Sequence, residues 1–246
     1  MLSKIHSTVT PRTVMTPYIF EPAPVASVAV RGQSARYAVR RIFCVGRNYA
    51  AHAREMGFDP DREPPFYFNK TPCDLVASGA TVPYPPGTQN YHYEMELVIA
   101  IGQPVFRVSS EQALDAVWGY GCGLDMTRRD LQIQSREMGR PWDFGKDFEN
   151  AAVMGELVPA AEIGHLSSGR IHLAVNGVTR QDGDLRDLIW SVPEIVANLS
   201  HYYHLQPGDL IYTGTPEGVG AVQPGDQLQG GIDGLGTIAL TIGQPE

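Results

Sequence analysis

Three acidic residues carry the chemistry of greatest interest in this sequence. In the run Tyr91-His-Tyr-Glu-Met-Glu-Leu-Val-Ile-Ala-Ile101, Glu94 and Glu96 stand two residues apart. The run is rich in aromatic and aliphatic residues and reads as one strand. Alternate strand side chains share a face, so His92, Glu94 and Glu96 line one side, with the carboxylates about 7 Å apart along the chain. The apolar Leu-Val-Ile-Ala-Ile tail predicts burial on both faces at the far end. Two like charges on a partly buried face repel and lose hydration, a conflict that a bound divalent cation resolves. Asp125 adds a third carboxylate at the end of a glycine-rich strand, 118–125. Three carboxylates without clustered His or Cys suit a hard cation, Mg2+ or Mn2+, with water or substrate completing its shell. A solvent-facing strand edge with two ordinary glutamates satisfies the same spacing.

Further polar residues have chemistry to offer. In Gly46-Arg-Asn-Tyr-Ala-Ala-His-Ala-Arg-Glu55, His52 and Glu55 are three apart and share a face if the segment is helical. A carboxylate beside an imidazole orients it and raises its basicity, which makes a general base; a solvated surface pair is the alternative. Lys146 lies among aromatics in Trp142-Asp-Phe-Gly-Lys-Asp-Phe148. There it would hold an oxyanion or ketone oxygen, or be a plain loop lysine. Arg129 and Gln132 are three apart on a helix following Asp125, facing the acidic site or the solvent. The loop Thr213-Gly-Thr-Pro-Glu-Gly-Val-Gly220 offers backbone N–H groups to a carboxylate or enolate. It is no P-loop and no dinucleotide fingerprint, and the chain has no Gly-x-Ser-x-Gly elbow.

The elements that must position these groups are mostly strands. With Gly 26 and Pro 19 in 246 residues, turns are frequent and a helical bundle is excluded. Residues 1–40 read as an N-terminal arm or small lobe with short strands near 17–20 and 25–31, and 41–246 as the catalytic domain. Strands are expected at Arg41–Val45 and Phe66–Asn69, and a short helix at Tyr49–Met56 stopped by Gly57. Asp59–Pro65 reads as a loop, and Ser110–Val117 as helical. Thr127 opens a helix with Asp130 at capping-box distance, ending near Gly139. Ile171–Val175 and Val178–Arg180 form a hairpin about Asn176-Gly177. Ser191-Val-Pro-Glu194 starts a helix whose apolar face carries Ile195, Val196, Leu199 and Tyr202. Three or four helices among many strands, without β-α-β alternation, give a single β-rich α+β fold.

Charge and cysteine content narrow the partners. Net charge is −8 with no basic block, which argues against nucleic acid and membrane surfaces. No apolar window is long enough to span a bilayer, and the N-terminus lacks a signal-peptide core. Three cysteines without a C-x-x-C pattern predict reduced thiols and a cytoplasmic location.

Taken in order, Val45-Gly-Arg-Asn-Tyr-Ala-Ala-His52-Ala-Arg-Glu55, His92-Tyr-Glu94-Met-Glu96-Leu, Asp125-Met-Thr-Arg-Arg129-Asp-Leu-Gln132, Gly145-Lys146-Asp-Phe and Gly208-Asp-Leu-Ile-Tyr-Thr-Gly214-Thr215-Pro-Glu-Gly-Val-Gly220 resemble the fumarylacetoacetate hydrolase family. The resemblance covers about 41–242. It implies a mixed β-sheet roll, a homodimer, and Mg2+ or Mn2+ on Glu94, Glu96 and Asp125. It also implies a His52–Glu55 dyad on a lid and a catalytic Lys146 with Gln132. Arg129, Lys70, Gly214, Thr215 and Tyr49 would bind substrate, and Arg128 or Arg140 would meet an acyl carboxylate. The activity implied is C–C bond hydrolysis of a 2,4-dioxo acid, 3-fumarylpyruvate first, in gentisate-type aromatic degradation. Acylpyruvate hydrolysis, oxaloacetate decarboxylation and dienoate isomerisation or decarboxylation are the alternatives. Thr71 stands directly after Lys70, where many relatives have proline.

Overall fold

The computed structural model describes residues 17–55 and 63–246. Four sheets organise it, the largest of eight strands. Its main path runs Phe66–Lys70, Arg41–Gly46, Asp209–Tyr212, Met95–Ile101, Val117–Asp125, Ala152–Met154 and Leu75–Ala77. A five-stranded sheet, Val178–Asp184, Arg170–Val175, Gln227–Ile232, Gly236–Ile242 and Thr81–Val82, packs over one face. Met95, Leu97 and Ile99 meet Ile171, Leu173, Leu228 and Leu240 in the main core. On the other face Val98 and Ala100 join Cys44, Leu210, Tyr212 and Met154 in a second core. The Met95–Ile101 strand is therefore buried on both faces, as its apolar run predicts.

The second core lies close because one face of Val117–Asp125 has almost no side chains. Gly123 pairs with Glu96 across the antiparallel ladder. A Cβ on Gly123 would sit 2.5 Å from Val98 Cγ2 and 2.6 Å from Tyr212 Cε1. Asp125, two residues on, projects from this same glycine face.

Several expected elements take a different form. The single strand expected over 91–101 is broken at Glu94. Tyr91–Tyr93 pairs with Thr127–Arg128 and Gly220–Val222 in a three-stranded sheet, while Met95–Ile101 joins the large one. Side chains satisfy the break: Met95 N donates to Gln181 Oε1, and Met95 O accepts from Thr215 Oγ1. Thr127 does not cap a helix; the helix is Arg129–Glu137, without a side-chain cap at its start. Asp130 instead accepts from Thr88 Oγ1 and the Gln89 and Leu131 N–H groups. The 110–117 segment is a helical turn, Ser110–Ala113, followed by a 3-10 turn. Six short α-helical segments occur among the described residues, three of only four residues, more than composition suggests.

No strand forms at 17–20, where Pro17, Pro22 and Pro24 disfavour a ladder. Ser27–Ala29 and Arg36–Ala38 pair with each other, and Val28 and Val39 enter the second core. Gly57, and most of the loop expected at 59–65, lie outside the described residues. The helix carrying His52 is Ala50–Glu55. The hairpin turns at Asn176, with φ 52°, but its second strand extends to Asp184. The Ser191 capping box forms on Val192–Ser200; Tyr202 lies beyond that helix and is exposed.

Gly123→Ala forces Val98 or Tyr212 off its packing position. It is expected to cost about 1–3 kcal/mol, read as a lowered urea midpoint with an unchanged slope.

Candidate active site

Strand register brings the carboxylates together. Asp125 N donates to Glu94 O at 2.9 Å, so the two residues face each other across the ladder. Glu96 occupies the next position on the same face, opposite Gly123. Carboxylate oxygens of Glu94, Glu96 and Asp125 lie within 4.8 Å of one another, and all three residues are buried.

Buried cations hold them. Lys146 Nζ donates to Glu94 Oε2 at 2.8 Å, Asp125 Oδ2 at 2.7 Å and Thr127 Oγ1 at 2.8 Å. These contacts use every N–H of the ammonium, so Lys146 organises the carboxylates rather than waiting free for a substrate oxygen. It reaches them from a one-turn helix, Asp143–Lys146. That helix approaches Arg129–Glu137 closely because Gly145 lacks a side chain: a Cβ there would lie 2.7 Å from Gln132 N. Arg129 bridges Glu94 Oε1 and Gln132 Oε1. The arginine donor fixes the Gln132 oxygen inward and leaves the amide N–H2 group to donate elsewhere.

Lys70 and Tyr49, expected to touch substrate, do not line the cleft. Lys70 is buried behind Asp125 and donates to the Met126 and Lys146 carbonyls. The Tyr49 hydroxyl is buried without a hydrogen-bond partner, and burial pushes it above the usual phenol range. Both belong to the packing beneath the site: Lys70 ends the strand Phe66–Lys70, and Tyr49 bridges to Leu188 just before the His52 helix. Arg128 stacks on Phe148 at 4.2 Å, away from the cleft.

The cleft brings together His52, Glu94, Glu96, Arg129, Gln132, Lys146, Gly214 and Thr215. His52 Nδ1 lies 3.1 Å from Glu55 Oε2, and Glu55 accepts from Gly218 N. The bond from His52, with help from Gly218, holds the Glu55 carboxyl below its ordinary value. Gly214 N donates to Glu96 Oε2 at 2.7 Å. His92 accepts from Arg129 Nε at 3.4 Å and meets Asn90 Oδ1 at 2.8 Å. Burial and the Arg129 charge lower its pKa to about 4, so it stays neutral.

Sequence reasoning missed the supports. Asn48 ties the start of the His52 helix to Trp190 and Thr213. Gln181 fastens Thr215 and Pro216 to the strand break. Both act on residues more than 30 positions away, and no local pattern marks them.

Residues 41–243 match the family described as fumarylacetoacetate (FAA) hydrolase, C-terminal. The chain belongs to the fumarylacetoacetate hydrolase family. A fumarylpyruvate hydrolase of Ralstonia sp is 58% identical over 188 residues, 76% of this chain and 97% of that protein. A mitochondrial oxaloacetate tautomerase of Homo sapiens is 37% identical over 207 residues, 84% of this chain and 93% of that one. The crystal structure of fumarylpyruvate hydrolase from Pseudomonas aeruginosa, in complex with Mn2+ and pyruvate, is 52% identical with a TM-score of 0.90. It covers 93% of this chain and 100% of that chain. The fold class expected from the sequence, a β-rich α+β roll, is the family's.

In this member of the fumarylacetoacetate hydrolase family, the acidic cluster fits a divalent cation on two observations. Asp125 Oδ1 is buried without a hydrogen bond; Lys70 Nζ is 2.8 Å away but outside hydrogen-bonding geometry. Burial, with Asp125 and Glu94 beside it, pushes the Glu96 carboxyl well above its ordinary value, so its ionised form calls for a further positive charge beside it. Burial also opposes ionisation of Glu94, but Lys146 and Arg129 outweigh it and hold that group low. An all-oxygen donor set suits Mg2+ or Mn2+.

Asp125→Ala and Glu96→Ala are each expected to weaken Mn2+ binding by at least about 10-fold, measured by calorimetric titration. A raised Glu96 must lose its proton to ligate. Mn2+ binding should therefore release protons and tighten as pH rises, read by titrating in two buffers of different ionisation enthalpy. A pH-independent affinity would show that Glu96 is already ionised before Mn2+ binds, and unchanged binding in Glu96→Ala would remove it from the ligand set.

Proposed function

We propose that this chain is a metal-dependent C–C bond hydrolase that splits 3-fumarylpyruvate, a 2,4-dioxo acid, into fumarate and pyruvate. The observation that carries this reading is the cleft that His52, held by Glu55, shares with Glu94 and Glu96 of the carboxylate cluster. The likeness to fumarylpyruvate hydrolases at 58% and 52% identity supports the substrate.

Glu94, Glu96 and Asp125 would hold a divalent ion, Mn2+ or Mg2+, which would supply Lewis acidity to the dioxo acid. Glu55 holds His52 through Nδ1, which leaves Nε2 to take a proton from water. The hydroxide so formed attacks the C4 carbonyl. The free Gln132 amide donates to the oxygen on C4 as it gains charge, and Lys146 and Arg129 add positive field. The C3–C4 bond then breaks, its electron pair leaves with the pyruvyl fragment, and C3 takes up a proton. Arg129 and Gly214 N–H already hold Glu94, Gln132 and Glu96. We therefore assign them to fixing the ligand set, with Thr215 on the cleft wall beside them.

The wider reading has the enzyme as a cytoplasmic homodimer in gentisate-type aromatic breakdown. No helix among the described residues is long and apolar enough to cross a membrane. Light scattering on purified protein reads the assembly directly.

The family's tautomerase, decarboxylase and isomerase activities need no attack by water. Turnover in H2(18)O should therefore place label in the released fumarate; unlabelled product would exclude hydrolysis. His52→Ala should lower kcat by about 10²-fold or more while Mn2+ titration stays as in the parent protein. Undiminished turnover would remove His52 from the reaction.

A further inference from the structure

The cleft continues past the carboxylates, and its chemistry changes as it does. Arg47 and Arg136 line it together with Trp142 and Phe68. Arg47, Phe68 and Trp142 also wall an adjoining cavity of about 500 Å3 that carries Phe66 and Arg140. Aromatic rings connect the two ends. Lys146 Nζ is 4.9 Å from the Phe68 ring, and Phe68 is 5.9 Å from Trp142. Trp142 meets Phe66 edge-on at 5.3 Å, and the Arg47 guanidinium lies 4.8 Å over Phe66. Arg47 adopts φ 54°, a left-handed conformation that a residue with a side chain holds only at a cost. Arg47 and Arg136 thus share the cleft with this wall, and Arg140 stands in the adjoining cavity with Asp143.

Guanidinium groups beside an aromatic wall are suited to a carboxylate on a flat, unsaturated chain. We propose that Arg47 and Arg136 bind the carboxylate at the acyl end of the substrate, with Phe66, Phe68 and Trp142 flanking the chain. They thereby select dicarboxylic over monocarboxylic 2,4-dioxo acids. The specificity claim rests on the hydrolase reading above; the anion site itself does not. Arg128, which the sequence offers for this role, is turned onto Phe148, and Arg140 lines only the outer cavity.

The test compares fumarylpyruvate with acetylpyruvate, which lacks the distal carboxylate, and separately titrates fumarate into the Mn2+-loaded protein. Arg47→Gln and Arg136→Gln should each lower the ratio of kcat/KM for fumarylpyruvate over acetylpyruvate by about 10- to 100-fold. Each should also weaken fumarate binding by a similar factor. A ratio within about threefold of the parent's, set by the usual scatter of such energies, overturns the assignment. If the parent hydrolyses neither compound, the hydrolase reading fails and the fumarate arm alone decides. Binding lost in the variants supports the arginines; binding unchanged, or absent in the parent, overturns them. Arg136→Gln, on a half-exposed helix position, keeps the test open if Arg47→Gln does not fold.

Discussion

The rest of the structure depends on the antiparallel pairing of Met95–Ile101 with Val117–Asp125. That register sets Glu94 against Asp125 and puts Glu96 over Gly123, so three carboxylates share one buried face. Buried, uncompensated charge of this kind is costly, and the neighbouring segments can be read as compensation. A one-turn helix delivers Lys146, a longer helix delivers Arg129, and the loop after Tyr212 turns the Gly214 N–H onto Glu96. What remains is the like-charge crowding at buried Glu96 and the missing hydrogen bond at Asp125 Oδ1, which a divalent ion would relieve.

Rigid and adjustable parts are divided accordingly. Glu96 and Asp125 stand on buried strands, and Glu94 at the break just before one of them, which limits their drift. His52 stands on a six-residue helix outside the large sheet. Asn48 pins its start, and Glu55 pins its far end to Gly218. A base mounted this way can hold its place beside the cluster without being built into it. The aromatic wall from Phe68 to Phe66 extends the same cleft beyond the chemistry.

Much of the site was legible because its signals are local. The two-residue spacing of Glu94 and Glu96 follows strand alternation, and the three-residue spacing of His52 and Glu55 follows helix pitch. The Asn176 turn and the Ser191 cap depend on only four residues each. Other features resisted for a physical reason. Thr127 resembles a helix cap, yet its hydroxyl accepts from Lys146, nineteen residues away, and donates to the Asp125 carbonyl. The break at Glu94 is invisible locally because its backbone groups are met by Gln181 and Thr215. Lys70 and Lys146 look alike as isolated lysines, and only burial separates one behind the cluster from one within it.

By itself, then, the sequence determined which residue types were available, their spacing along each strand and helix, and the family that their order marks. Those depend on the chain's own covalent geometry and on periods of two and 3.6 residues. The tertiary structure alone decided which charges meet. Lys146 has every donor engaged, by two carboxylates and the Thr127 hydroxyl, Arg129 is committed to Glu94 and Gln132, and Arg128 faces Phe148 while Arg47 and Arg136 line the cleft. Hydrogen bonds and ion pairs are short-ranged and directional. Their partners are therefore set by strand register and packing between segments far apart in the chain, which no local pattern encodes.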